Sequence, residues 1–279
     1  MRSANLVIVT LGVAAIIVSA VIALRWRRLP LVAPDRTPPA TSGRAALDGL
    51  RTLAAAMSAG VIAGALVPGL IGRLVMRILG ATSGHAAQGA RTDADAIVGV
   101  ITGNGTLAVV TFVGVLGGVI AALGLLVVRR WLPLTAGSAG VVAGVLLLGT
   151  IGIGDALSPD NRDFALLRPT WLAVTLVVLT ALLFGVTFAA LAARFDAGLP
   201  TLRWHFSAIA SHAALIVALF PIVFLVAVLY VGGRALLRGE VAPVLAGESS
   251  KRVGHLVVGI ATVLAAGTTG DAIFEIMMA

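Results

Sequence analysis

The chain contains no cysteine. Disulfides, thiolate catalysis and sulfur-ligated zinc or iron–sulfur centres are therefore excluded, and the redox compartment leaves no mark on the sequence. Charge is also scarce. Asp, Glu, Lys and Arg make up 11% of the 279 residues, against about 25% in a soluble globular domain. Aromatic residues contribute 5%, with a single Tyr. Lysine occurs once, as Lys251, and the other nineteen basic residues are Arg, a skew that fits codon usage and needs no mechanism. There is no H-E-x-x-H, no G-x-S-x-G and no P-loop, so the common local signatures of zinc, serine and nucleotide chemistry are missing.

What the chain has in quantity is apolar surface: 59% hydrophobic residues and a mean hydropathy of +1.08. This is the composition of an integral membrane protein, and no stretch away from a hydrophobic run is long enough for a soluble domain. The net charge of +8 does not indicate nucleic acid, because the Arg residues are scattered through short connections and not gathered on a polar face with interleaved aromatics. Their natural partner is the anionic surface of a bilayer.

A spanning helix needs about 20 mostly apolar residues. The sequence predicts helices over Ser3 to Leu24, Thr52 to Gly72, a third inside Ala96 to Val128, Leu132 to Gly154, Thr170 to Ala193, Phe206 to Gly233 and Val253 to Gly270. Gly103-Asn104-Gly105 reads as a break, so the third helix is expected to start near Gly105. Thr135 is placed to cap the fourth. His212 interrupts the sixth, and the seventh is the shortest. The fold class is thus an all-α, polytopic transmembrane bundle of about seven helices. Its expected divisions are a first transmembrane helix over residues 1–28, a Pro-rich cytoplasmic linker over 29–44 and a six-helix transmembrane core over 45–279. The linker, with Pro30, Pro34, Pro38 and Pro39, would attach the first helix loosely to that core.

Trp26, Trp131, Trp171 and Trp204 each lie at the edge of an apolar run, as the bilayer interface favours. The first run exceeds the apolar length of a signal peptide and is followed at once by Arg25, Arg27 and Arg28, so it reads as a retained helix. Six Arg in the first connection place it in the cytoplasm. The N-terminus is then expected outside and the C-terminus in the cytoplasm. Small residues recur every four positions: Gly60 and Gly64, Gly114 and Gly118, Gly140 and Gly144, then Gly185, Ala189 and Ala193. Such stripes let backbones approach where no hydrophobic effect drives helices together.

Ionisable groups near a membrane interior are costly, so each is a candidate for function. Arg73 and Arg77 follow Pro68-Gly69 one turn apart on a helical continuation. They read as an anion site or gating ion pair, or as anchors snorkelling into headgroups. Asp155 ends the fourth helix on the same expected side. Ser158-Pro159 then signals a short helix whose first turns carry Asp160 and Asp163, and whose Phe164, Leu166 and Leu167 would sit at the interface. These acids either pair with Arg73 and Arg77 or form a solvated loop. Asp271 and Glu275 lie one turn apart after Gly267-Thr268-Thr269-Gly270, a segment able to unwind and free carbonyls for a cation. The alternative is a frayed tail, and both acids are expected on the side opposite Arg73. Gly152-Ile153-Gly154-Asp155 matches the G-x-G-D of intramembrane aspartyl proteases. Those enzymes need a facing second aspartate, and Asp196 and Asp271 are both expected on the opposite side. His205, His212, His255 and His85 sit at unmatched depths for a bis-His haem. No catalytic residue, metal or cofactor is assigned.

Pro68 to Thr82 and Asn161-Arg162-Asp163-Phe164-Ala165-Leu166-Leu167 resemble parts of a family of uncharacterised bacterial multi-pass membrane proteins, over about residues 45 to 195. The resemblance implies a bacterial cytoplasmic membrane location and no activity. The leading expectation is a small transporter or permease-like protein moving a small solute or ion. Its rival is a non-catalytic subunit or scaffold that associates with another membrane protein or with itself. Charges lining a cavity would favour the first. Charges confined to headgroup depth around a solid bundle would favour the second.

Overall fold

The computed structural model describes residues 2–31, 41–91, 97–98, 100, 102–133, 135–152, 157–158, 160–199, 229–232 and 247–278. Among them every regular element is helical. Helix α1 is Arg2–Trp26. Helix α2, Ser42–Gly64, passes through a π-helical stretch, Ala65–Ile71, into α3, Gly72–Thr82. A turn of helix, α4, covers Gly84–Ala87. The third run comprises α5, Gly103–Ala108, a π-helical stretch Val109–Leu116, and α6, Gly117–Val128. Then come α7, Ala136–Leu147, ending in a π-helical stretch Leu148–Gly152, the short α8, Arg162–Leu166, and α9, Thr170–Gly198. The last helix, α10, is Glu248–Met278.

Five of these runs are long and apolar enough to cross a membrane: Leu6–Trp26, Gly43–Thr82, Gly103–Val128, Thr170–Gly198 and Glu248–Met278. Ala136–Thr150 is a shorter apolar helix. The all-helical membrane bundle is therefore present, while the count among the described residues is five, not seven. The expected sixth helix lies outside the described residues except for Leu229–Gly232, which are helical.

Helix is the form these segments must take. In hydrocarbon an unpaired backbone N–H or C=O costs several kcal/mol, so each segment satisfies its own. The same rule explains α10. Its Gly267-Thr268-Thr269-Gly270 segment does not unwind, contrary to expectation: Thr268 donates to the carbonyls of Leu264 and Ala265, and the helix runs on through Asp271 and Glu275 to Met278. The expected shortest helix is 31 residues long. Caps set the other ends. Thr135 accepts from the backbone N–H of Ser138, as expected, and Thr102 does the same for Gly105, so the third run starts at Gly103. Asn161, not Ser158, caps α8. Phe164 and Leu167 are buried there against the protein.

The small-residue stripes pair off. A Cβ on Gly60 would overlap the Gly118 carbonyl oxygen, and one on Gly64 the Gly114 carbonyl oxygen, so α2 and the third run cross backbone to backbone. Likewise a Cβ on Gly140 would lie 2.5 Å from Val186 Cα and 2.7 Å from the Gly185 oxygen, which seats α7 on α9. Around these crossings Leu53, Met57, Val67, Val119, Ala122, Ala139, Phe188 and Ala190 form the main core. A second core joins Leu79, Leu148, Phe164, Val174 and Ile276.

Helix α1 packs along α9 and the first π-helical stretch, burying Ala15, Ser19 and Ile22. The start of the linker is tied down: the Leu29 and Arg27 carbonyls accept from Ala136 and Gly137 at the head of α7, and Leu31 is buried.

The contacts also order the two ends of the bundle. Gly12 of α1 meets Leu74 of α3, while Arg27 meets Gly137. Gly254 of α10 meets Trp131, and Ile276 joins Leu79 and Phe164. One end therefore holds Trp26, Arg51, Trp131, Asp196 and the start of α10. The other holds Arg73, α8, the start of α1 and the end of α10. The beginning of α1 and the end of α10 thus share one end, not opposite ends as expected from the sequence. Asp271 and Glu275 are at the Arg73 end.

Candidate functional site

In the described spans the charged side chains flank the apolar stretches. Arg51 and Arg73 bound the apolar part of the α2–α3 run, roughly 33 Å apart at 1.5 Å per residue, which is about one hydrocarbon thickness. Arg252 and Asp271 bound the apolar part of α10 in the same way, roughly 29 Å apart. No Asp, Glu, Lys or Arg falls between Thr52 and Gly72, Gly105 and Val128, or Thr170 and Ala193.

At the Arg51 end the charges interlock. Arg51 is 8% exposed. Its Nε donates to the Leu199 carbonyl at 2.8 Å and a terminal nitrogen donates to the Asp196 carbonyl at 2.7 Å. The carbonyls in the last turn of α9 lack helical partners, and a cation there satisfies both the hydrogen bonds and the negative end of the helix dipole. The Asp196 carboxylate, itself buried, lies 3.9 Å from Arg129. With Leu31, Thr52, Ala55, Ala56, Leu125, Leu126 and Ala192 these groups close around a cavity of about 10 Å³, room for one water at most. Arg194 stacks over Trp26 and Arg130 over Trp131, contacts that suit an interface.

This cluster is not legible in the sequence. Arg51 and Arg129 read as ordinary charges of connections, and Asp196 reads only as a partner for Asp155. The contacts join residues 145 and 148 apart, beyond any local pattern. The one usable signal was an acid standing a turn inside the end of an uncharged helix.

At the other end, Pro68 shapes the site. Proline has no N–H and its ring crowds the carbonyl four residues back, and the wider π-helical hydrogen bonding absorbs the defect. Beyond it Arg73 is 9% exposed. Its Nε approaches Thr106 Oγ1 at 3.4 Å and a terminal nitrogen approaches Met76 Sδ at 3.8 Å, both long for hydrogen bonds. A Cβ on Gly105 would sit 3.4 Å from its other terminal nitrogen. Arg77, one turn on, is half-buried. Among the described residues no carboxylate pairs with either arginine.

The remaining candidates that are described pair with neither arginine. Asp163 is half-buried in the first turn of α8, where its N–H is held by Asn161 at 2.8 Å. Asp271 and Glu275 are exposed on α10. Asp155 lies outside the described residues, as do His205, His212 and Trp204. Among the described residues no group of three His, Asp or Glu comes together.

The outer helices have large free faces. Only 22% of the most apolar window of α1, and the same share of α10, is buried inside the molecule. On α10 the exposed face includes Gly259, Gly267 and Gly270, where an added Cβ would meet nothing within 4 Å. A shallow apolar groove of about 430 Å³ runs along it between His255 and Leu264. No family model, curated protein or solved structure matches this chain.

Proposed function

We infer that the protein is a non-catalytic membrane subunit or scaffold, associating through its outer helices with another membrane protein or with itself. The observation that carries this reading is a filled bundle with its charges at the two ends. The cavity beside Arg129 and Asp196 is about 10 Å³, and the crossings between Gly60 and Gly118 and between Gly140 and Gly185 leave backbone against backbone. A pathway for solute needs space and polar groups toward the midplane; among the described residues no charged group stands there, and the buried polar side chains between the charged ends are the hydroxyls of Ser19 and Thr187. Small residues facing outward on α10 suit close helix contact.

The resemblance over Pro68 to Thr82 supports a bacterial cytoplasmic membrane as the location. The Arg-rich first connection puts the Arg51 end in the cytoplasm, and with it both the start of α1 and the end of α10 face outward. Transport of a small solute or ion is the second reading, favoured by a buried Arg73 with no carboxylate beside it among the described residues.

Photo-crosslinking residues placed at Leu256 and Leu264 on α10, with Val127 on α6 as a comparison, test the first reading in native membranes. The expected result is a discrete protein adduct from the α10 positions and none from Val127. Lipid adducts alone from all three positions would overturn it.

A further inference from the structure

We propose that Arg73, with Arg77 beside it, is a binding site for a phosphate group, supplied either by a lipid headgroup or by free phosphate. The argument begins with an imbalance. A guanidinium carries five N–H donors and a fixed positive charge. Arg73 is buried to nine-tenths, yet its polar contacts are Thr106 Oγ1 at 3.4 Å and a thioether at 3.8 Å. A buried charge without a partner is among the most costly arrangements a protein can hold.

The neighbouring backbone makes the imbalance worse. Nη2 of Arg73 lies against Gly105, in the first turn of the 26-residue run Gly103–Val128. A helix N-terminus presents free N–H groups and the positive end of the dipole. Thr102 caps Gly105, and it carries no charge. A cation and a positive helix end thus face one another with no carboxylate between them among the described residues, and Arg77 adds a second cation one turn along. An anion placed there would satisfy all three.

Depth selects the chemistry. Arg73 stands about one hydrocarbon thickness from the Arg51 end, and therefore at the level of headgroup phosphates. Arginine forks match phosphate oxygens in pairs. The contrast within the molecule supports this: Arg51, equally buried at the opposite end, has its donors on two backbone carbonyls, whereas Arg73 has no such acceptors among the described residues.

The test is thermal unfolding of the purified full chain in phosphate-free buffer with added inorganic phosphate, alongside native mass spectrometry of retained phospholipid. The variants are Arg73→Gln, Arg73→Lys and Thr106→Asp. If free phosphate is the ligand, the wild-type midpoint rises by roughly 2–4 °C at saturation and Arg73→Gln shows no rise. If a lipid is the ligand, wild type retains a phospholipid through detergent exchange and Arg73→Gln loses it. Thr106→Asp places a carboxylate on Arg73 from within the chain. It should raise the midpoint without ligand and abolish the response to either source, so the test survives a failure of Arg73→Gln to fold. A wild type that neither responds to phosphate nor retains phospholipid overturns the proposal. So does a charge exchange, Arg73→Asp with Asp155→Arg, that restores the stability lost on Arg73→Asp alone, because the arginine's partner would then be a carboxylate of this chain.

Discussion

Replacing Gly64 by Ala adds one methyl group at the tightest part of the bundle. The new Cβ would overlap the Gly114 carbonyl oxygen and lie 2.8 Å from its carbon and 3.2 Å from Gly118 Cα. These are backbone atoms of a spanning helix, so no side chain can rotate away. The α2 run and the third run must move apart, which also loosens the contacts of Gly60 with Gly118 and of Gly69 with Val110. Overpacking costs about 1–3 kcal/mol in general, and a rigid backbone neighbour puts this case at about 3 kcal/mol. The same substitution at Gly117 or Gly124 meets nothing within 4 Å and gains up to about 1 kcal/mol of helix propensity. The two classes should thus differ by about 3–4 kcal/mol. That corresponds to thermal midpoints separated by roughly 10 °C. Tryptophan fluorescence on the purified protein at one scan rate reads the difference. A Gly64→Ala midpoint at or above that of Gly117→Ala would refute the backbone-contact reasoning.

Arg51→Ala removes two hydrogen bonds to carbonyls at the end of α9; the expected loss is about 2–4 kcal/mol, with Arg51→Lys between it and wild type in the same melt. A charge-neutral outcome for Arg51→Ala would show that the α9 carbonyls are satisfied otherwise. Because the chain has no native cysteine, single thiols report sidedness cleanly. His85→Cys and Glu275→Cys should react with an impermeant maleimide from one side of the membrane, and Arg28→Cys and Ser249→Cys from the other. Glu275→Cys labelling together with Arg28→Cys would contradict the direction of α10.

Much of the fold is legible because the bilayer imposes it. Apolar length, Trp at the edges and Arg in the connections located the helices, and Thr135 announced its cap. Four-residue spacing of Gly located the crossings, though not which stripe meets which. Other features escaped for identifiable reasons. The π-helical stretches depend on how Pro68 and the close Gly contacts share carbonyls, which leaves apolar periodicity unchanged. The length of α10 was missed because Asp271 and Glu275 end an apolar run without ending a helix. Its direction was missed because connection charges count both ends of a span almost equally here. Arg73 and Arg77 were legible as a pair on one face. The Arg51 cluster was not, since three charges from separate connections meet only after α2, α6 and α9 have packed.

The central claim is that the bundle is filled between its charged ends. Single cysteines at Met57, Val67, Ala122 and Phe188, all buried in the main core, test it directly in the membrane with a small water-borne thiosulfonate reagent applied from both sides. The account predicts no modification at any of the four under conditions that modify Glu275→Cys completely. Modification of even one of the core thiols would mean that water reaches the middle of the bundle, and it would contradict the scaffold reading in favour of a pathway.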